Sequence, residues 1–495
     1  MRSVLVVGGG MGGLAAAADL ARQGVAVTLL ERAATTGGKA RKVTVGGAAV
    51  DGGPTVFTMR WIFDALFDDA GRRFADHVVI HPADLLARHA WRAGGRLDLF
   101  ADIEASVDAI GAFAGPAEAA GYRALVARSA DIYRTLEKPF IASQQPSMLG
   151  LARRAPLAAL WRTAPFRTMW GALGDHFRDP RLRQLFGRYA TYTGCSPFAA
   201  PATLMLIAHV EQEGVWLVEG GMARVAAAIA GLATAQGATV RTGAHVAEIL
   251  VRRGRAHGVR LASGEELTAD AVLFNGDVSA LGQGLLGEAA RIAAPATPPA
   301  ARSLSAFTWC AHAPTRGFPL AYHNVFFAED YAAEFAAIFR HRRVTEAPTV
   351  YVCAQDRGDD RGDHRGHAEV PAGAPERLLL LVNAPADGDR AEPAPGPVRD
   401  AMVALLARCG LSVEGLDTAV RTGPEGFHAL FPGSGGALYG RAGHGMMGSF
   451  ARPGSQSRLP GLYLAGGSVH PGAGVPMAVM SGRLAAAALL AAPAA

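Results

Sequence analysis

Ser3-Val-Leu-Val-Val-Gly-Gly-Gly-Met-Gly-Gly-Leu-Ala-Ala-Ala-Ala-Asp-Leu-Ala-Arg22 stands near the start of the chain, and its three parts decide the reading of the fold. The β-branched run from Ser3 to Val7 reads as a buried parallel strand, the glycines from Gly8 to Gly13 as a tight turn, and Leu14 to Arg22 as a helix. In that context Gly8 permits the turn, Gly10 lets backbone amides approach a pyrophosphate, and Gly13 lets helix and strand pack closely. Met11 and Gly12 lie where the helix N-terminus supplies an anion site. A second strand, Val25 to Leu30, ends at Glu31, whose carboxylate can accept hydrogen bonds from both ribose hydroxyls and disfavours a 2′-phosphate. The same glycine pattern recurs at Gly282-Gln-Gly-Leu-Leu-Gly287. There it follows the strand Ala271 to Phe274 only after several residues, so it reads as coincidence and predicts no second nucleotide domain.

Working outward, 495 residues of which 50% are hydrophobic can bury a large core and should divide into two domains. Cys195, Cys310, Cys353 and Cys409 are scattered singly, which suggests neither disulfides nor zinc and fits a reducing cytoplasm. The charge of +5 arises from 48 basic and 43 acidic residues, and Lys39, Lys42 and Lys138 are the only lysines. No basic run is interleaved with aromatics, so no nucleic-acid partner is expected. With a first strand expected to start at Ser3, no signal peptide is expected ahead of it. The alanine-rich C-terminus is broken by Arg483 and Pro493, so no spanning helix is expected.

Thr36-Gly-Gly-Lys-Ala-Arg41 and Asp51-Gly-Gly-Pro-Thr55 add a glycine doublet and a second glycine turn close to the first nucleotide element. The string from Val4 to Arg41 resembles the dinucleotide-binding motif of the flavin amine oxidase and phytoene desaturase superfamily. Far downstream, Gly461-Leu-Tyr-Leu-Ala-Gly-Gly-Ser-Val-His-Pro-Gly-Ala-Gly-Val-Pro-Met477 resembles the C-terminal flavin signature of carotenoid desaturases. A helix starting near Val475 would point its positive end at the flavin pyrimidine edge. The resemblance implies FAD as cofactor. It places Gly8, Gly10, Met11, Gly12, Gly13, Glu31, Arg32, Gly37, Gly38, Lys39, Ala40, Arg41, Gly53, Pro54 and Thr55 along it. Val246 would lie at the adenine, with Asn275, Gly276, Asp277, Gly466, Gly467, Val475, Pro476 and Met477 completing the site.

The fold class expected is therefore α/β: a Rossmann-like FAD-binding domain of the glutathione-reductase and amine-oxidase type, with a discontinuous α+β substrate domain. The FAD domain is expected over 1–75, 223–290 and 440–495, and the substrate domain over 76–222 and 291–439. The substrate domain reads as helical from Asp108 to Ile207. A mostly antiparallel sheet follows, built from Tyr322 to Phe327, Pro348 to Cys353 and Leu378 to Val382.

Tyr189-Ala-Thr-Tyr-Thr-Gly-Cys-Ser-Pro197 through Glu211-Gln-Glu-Gly214 most resembles the branch of the family that desaturates 1-hydroxylated acyclic carotenoids at the 3,4 bond. Tyr192, Trp216, Phe326 and Tyr439 are the candidate substrate contacts, and Thr191, Tyr192, Thr193 and Ser196 the candidates to read the hydroxyl. Desaturation needs a hydride acceptor and a proton acceptor. No carboxylate pair identifies the base, and Glu213, Glu219, His323 and His444 are the candidates.

The stretch Gln145 to Leu173 mixes Arg153, Arg154, Arg162 and Arg167 with Leu149, Leu157, Trp161, Phe166 and Trp170, a composition suited to a membrane surface where a carotenoid could enter. Oxygen or a quinone would take the electrons. Four other activities share the scaffold: desaturation of unhydroxylated carotenes, redox-neutral isomerisation, amine or porphyrinogen oxidation, and prenyl binding without flavin. His470-Pro471 stands where amine oxidases tend to place an aromatic pair, which argues against amines.

Overall fold

In the computed structural model, which describes residues 2–492 apart from 145, 358–369, 372 and 392, Ser3–Val7 is the middle strand of a five-stranded parallel sheet. Gln145 and Pro493 lie outside the described residues. The strand order is Thr239–Arg241, Ala26–Leu30, Ser3–Val7, Ala271–Phe274, Leu462–Leu464, every pair parallel. The alternation within Ser3–Val7 explains its burial on both sides. Val4 and Val6 join an alanine-rich helical layer, while Leu5 and Val7 join a second core under a three-stranded antiparallel ribbon. That ribbon turns at Arg253 and Gly254, with φ of 51° and 73°, the left-handed pair a two-residue hairpin needs.

Helix Met11–Arg22 packs between helices Met222–Ala235 and Val475–Ala491. Its residues Ala15 to Ala18 are at most 1% exposed. Small side chains allow this closeness, and at Gly482 a Cβ would lie 2.0 Å from the carbonyl oxygen of Gly12, so no other residue fits there. The long C-terminal helix is thereby fixed against the first one, and its N-terminus is held beside the glycine turn.

The largest sheet has eight strands, antiparallel except where His323–Phe327 runs parallel to Leu85–Trp91. His323–Phe327, Val350–Ala354 and Pro375–Ala384 are the expected strands. Two features go beyond the expectation. A thirteen-residue strand, Ser305–Gly317, pairs with Pro375–Ala384, and the hairpin Leu85–Trp91 with Arg96–Phe100 joins the sheet's edge. The helical part begins at Ile103, five residues before Asp108, because Asp102 caps it by accepting a hydrogen bond from the Ala105 amide at 2.8 Å. The later glycine pattern is no nucleotide turn, since Gly282 ends the short helix Val278–Gly282 instead of opening one. Among the described residues no helix is long and apolar enough to cross a membrane, and no cluster of three metal-ligating side chains occurs.

Candidate functional site

Two cavities meet inside the molecule. The first, about 420 Å³, is lined by Gly8, Gly10, Met11, Gly12, Glu31, Arg32, Gly37 to Arg41, Gly53, Pro54, Val246, Asn275 to Asp277, Gly466, Gly467 and Val475. Of the residues expected along the dinucleotide, only Gly13, Thr55, Pro476 and Met477 are absent from this lining. The last three line the second cavity, and Gly13 packs against the strand-to-turn backbone.

Several observations test whether this lining suits a dinucleotide. No side chain caps helix Met11–Arg22, and its first turn carries no acidic residue, so its leading amides stay available to a phosphate. Glu31 is held by two backbone amides, Oε2 accepting from Gly9 at 2.7 Å and Oε1 from Ala33 at 2.8 Å. Each carboxylate oxygen keeps a lone pair free for a hydroxyl. Asn275 donates to the Gly8 carbonyl at 3.0 Å, while its Oδ1 is buried with no partner. A buried orphan acceptor beside the glycine turn is what a hydrogen-bond donor of a ligand would satisfy. The lining fits.

The second cavity, about 710 Å³, is lined mainly by apolar side chains, among them Met148, Leu157, Trp161, Phe166, Leu206, Ile207 and Phe450. Gly53, Pro54, Leu381, Tyr439, Ala473, Gly474 and Val475 line both cavities, so the N-terminus of helix Val475–Ala491 stands at their junction. Arg452 spans the same place: it is 8% exposed and donates at 2.8 Å to the carbonyls of Gly467, Tyr439 and Arg441.

A polar patch interrupts the apolar wall. Arg188, Tyr192, Glu211 and Tyr351 line the cavity, and Glu211 is the only carboxylate in the described lining. Tyr189 and Tyr192 donate to Glu211 at 2.6 and 2.7 Å. Burial pushes the Glu211 pKa up, and those two phenolic donors oppose it. Tyr351 shares hydrogen bonds with Thr55 Oγ1 and His323 Nδ1, each 2.7 Å from its oxygen.

Residues 11–490 match the model of the family described as flavin containing amine oxidoreductase. The chain belongs to that family. As a flavoenzyme it uses FAD, and the first cavity is the one whose glycines and acid fit a dinucleotide. The chain is 55% identical to a hydroxyneurosporene desaturase of Rubrivivax gelatinosus over 99% of this chain and 93% of that protein. It is 45% identical to a hydroxyneurosporene desaturase of Cereibacter sphaeroides over 99% and 97%. A solved oxidoreductase of Methanosarcina mazei shares the fold at 15% identity, with a TM-score of 0.58 and 97% and 99% coverage.

The flavoenzyme distributes the remaining sequence candidates unevenly. Tyr192 and Tyr439 line the second cavity, as do Thr191 and Thr193. Trp216 and Phe326 do not. Trp216 sits on Val215–Val218 edge-on to Phe57 at 6.4 Å, and Phe326 is fully buried against Phe318 in the sheet's other face. Ser196 is also off the lining, its amide donating to His444 Nε2 at 3.0 Å.

None of the four candidate bases lines the cavity. Glu213 is 64% exposed beside His209, and Glu219 40% exposed beside His81. His444 is pushed down to about 4 by burial. His323, behind Tyr351, is pushed down to about 3 by burial and then by the charge of Arg188. Arg188, Glu211 and Tyr351 were not singled out from the sequence. The only local signal was polar residues at Arg188, Tyr189 and Tyr192 ahead of the buried Glu211.

Proposed function

We propose that this flavoenzyme introduces a C=C bond into an acyclic hydroxylated carotenoid, at the 3,4 bond of a 1-hydroxylated substrate. The observation that carries the reading is an apolar cavity of about 710 Å³ that shares Gly53, Pro54 and Gly474 with the dinucleotide cavity. Full-length relatives at 55% and 45% identity bear the name hydroxyneurosporene desaturase, which supports the same substrate class. In this reading 1–75, 223–290 and 440–495 bind FAD, while 76–222 and 291–439 bind the polyene.

Glu31 would hold the ribose, the amides of Gly10 to Gly12 the pyrophosphate, Val246 the adenine, and Gly53, Pro54 and Val475 to Met477 the ring end. When bound, FAD supplies a two-electron hydride acceptor, reoxidised by oxygen or a quinone. The chain aligns the polyene along the apolar wall and keeps water away, so orientation is its main contribution. Incubation with acyclic carotenoids bearing or lacking the 1-hydroxyl group tests the reading. The expected result is loss of two hydrogens and a red-shifted absorption maximum on the hydroxylated substrate. FAD-bound protein that leaves every polyene's mass unchanged overturns it in favour of isomerisation or another oxidation.

The substrate is membrane-borne, and the cavity mouth fits a peripheral site on an intracellular membrane. Leu157, Trp161 and Phe166 line the cavity yet are 70%, 73% and 65% exposed, with Arg153, Arg154 and Arg162 alongside on helices Met148–Arg154 and Leu157–Arg162. Immersing one such side chain is worth roughly 1.5–3 kcal/mol. Leu157→Ser, Trp161→Ser and Phe166→Ser combined should therefore lower the fraction that floats with anionic phospholipid vesicles at least tenfold. Equal flotation of variant and parent rejects this mouth as the membrane contact.

A further inference from the structure

We infer that Arg188 and Tyr192 form the anchor that reads the hydroxyl group of the substrate, and so set the preference for hydroxylated over plain polyenes. The inference rests on the desaturase reading above. Arg188 lines the apolar cavity, yet among the described residues it has no carboxylate within ion-pair distance. Its hydrogen bond goes to Tyr192 Oη at a long 3.5 Å. The guanidinium is otherwise sandwiched by aromatic faces, 5.5 Å from the ring centre of Tyr192 and 5.3 Å from that of Tyr351. A cation with five donors and so few acceptors is under-satisfied in an apolar wall.

The neighbouring hydrogen bonds have a definite direction. Tyr192 Oη donates its proton to Glu211 at 2.7 Å, so what it offers the cavity is a lone pair. Arg188 offers only N–H donors. Together they present one acceptor and one cationic donor, the complement of an alcohol, which accepts through oxygen and donates its own proton. A second phenol, that of Tyr189, shares Glu211 at 2.6 Å, and this fixes the carboxylate that orients Tyr192. The phenol of Tyr331, 4% exposed and also on the lining, is without a partner, so this part of the wall is short of acceptors generally.

Position agrees with chemistry. In a 1-hydroxylated substrate oxidised at the 3,4 bond, the reacting carbons are two and three atoms along from the carbon that bears oxygen. The anchor must therefore stand close to the junction of the cavities. Arg188 packs on Tyr351, Tyr351 bonds Thr55 at 2.7 Å, and Thr55 follows Pro54, which lines both cavities. A plain hydrocarbon end would cover Arg188 without giving its donors an acceptor. A site of this kind discriminates strongly, because the analogue lacking the hydroxyl leaves buried polar groups unpaired.

The test compares kcat/KM and equilibrium binding, read from the polyene absorption shift, for a 1-hydroxylated and an unhydroxylated acyclic carotenoid of equal length. Parent protein, Arg188→Met and Tyr192→Phe are measured, each loaded with FAD. The expected result is a parent that favours the hydroxylated substrate, with this ratio reduced roughly ten- to a hundredfold in Arg188→Met and less in Tyr192→Phe. If Arg188→Met does not fold, Tyr192→Phe alone decides, since it removes a single oxygen. An undiminished ratio in the folded variants, or equal loss on both substrates, overturns the anchor and leaves the desaturase reading standing. A parent that desaturates neither polyene overturns the desaturase reading itself.

Discussion

Gly13→Ala is expected to yield a protein without bound flavin, with an apparent FAD affinity at least a hundredfold below the parent's. A Cβ built on Gly13 lies 2.1 Å from the carbonyl oxygen of Gly8, 2.9 Å from Asn275 Nδ2 and 3.2 Å from Asn275 Cβ. The obstacle is backbone, and it is pinned: the Gly8 amide donates to Leu30 at 2.8 Å and the Asn275 amide to Val7 at 2.8 Å. One methyl group must therefore push helix Met11–Arg22 off the sheet. That helix carries the amides of the first cavity and abuts the N-terminal half of Val475–Ala491. Overpacking costs about 1–3 kcal/mol in general, and a clash with pinned backbone puts this change at or above the top of that range. Gly231→Ala is the control: that exposed position inside helix Met222–Ala235 has nothing within 4 Å of an added Cβ, and should gain roughly 0.5–1 kcal/mol. Flavin absorbance after purification and thermal melting measure both. A yellow Gly13→Ala protein with the parent's affinity rejects the glycine turn as a dinucleotide site.

The dinucleotide cavity was legible because its determinants are local. A strand, a run of glycines, a helix and a carboxylate at the end of the next strand are constrained by backbone geometry within a short stretch, so residue type and spacing suffice. The downstream elements at Asn275 and Gly466 were placed instead by their resemblance to the flavin family's motifs. The second cavity is made differently. Its polar patch takes Thr55, Arg188, Tyr192, Glu211, Tyr331 and Tyr351 from three segments each more than a hundred residues from the next, and only tertiary packing tells which side chains face inward.

Glu211 and Glu213 show the limit. Two positions apart on one helical turn, they point to different sides. Glu211 is 7% exposed and bonded to two phenols, whereas Glu213 is 64% exposed beside His209. Their neighbours Gln212 and Gly214 carry no signal of which carboxylate faces inward, and the sequence reading named Glu213. Trp216 and Phe326 are the converse case, large aromatics whose composition suits either a core or a substrate wall: Phe326 went into the core, and Trp216 packs half-buried against it. The edge hairpin Leu85–Trp91 with Arg96–Phe100 escaped notice because its partner strand, His323–Phe327, is so distant in sequence.

Arg452 was equally invisible to sequence reasoning, and Arg452→Met should be among the most damaging single changes outside the glycine turn. The guanidinium is a three-way clasp. It joins the carbonyls of Tyr439 and Arg441, on the segment returning from the substrate sheet, to that of Gly467, on the turn after Leu462–Leu464. Burial holds its pKa below the usual arginine value, with Cys195 and Asp277 opposing. Methionine keeps roughly the apolar stem of the side chain, but it leaves three inward carbonyls without that donor. A buried acceptor stripped of its partner costs about 1–3 kcal/mol, and these three share one environment, so the losses add incompletely. The expected destabilisation is about 3–5 kcal/mol. Because Tyr439 and Gly467 also line the dinucleotide cavity, flavin retention should fall with it. Arg452→Lys can reach at most part of the clasp, since a single ammonium lacks the planar fork, and should lie between parent and methionine variant. Chemical denaturation with parallel flavin titration gives both quantities. Full flavin retention with a melting curve like the parent's in Arg452→Met is the outcome that contradicts the clasp.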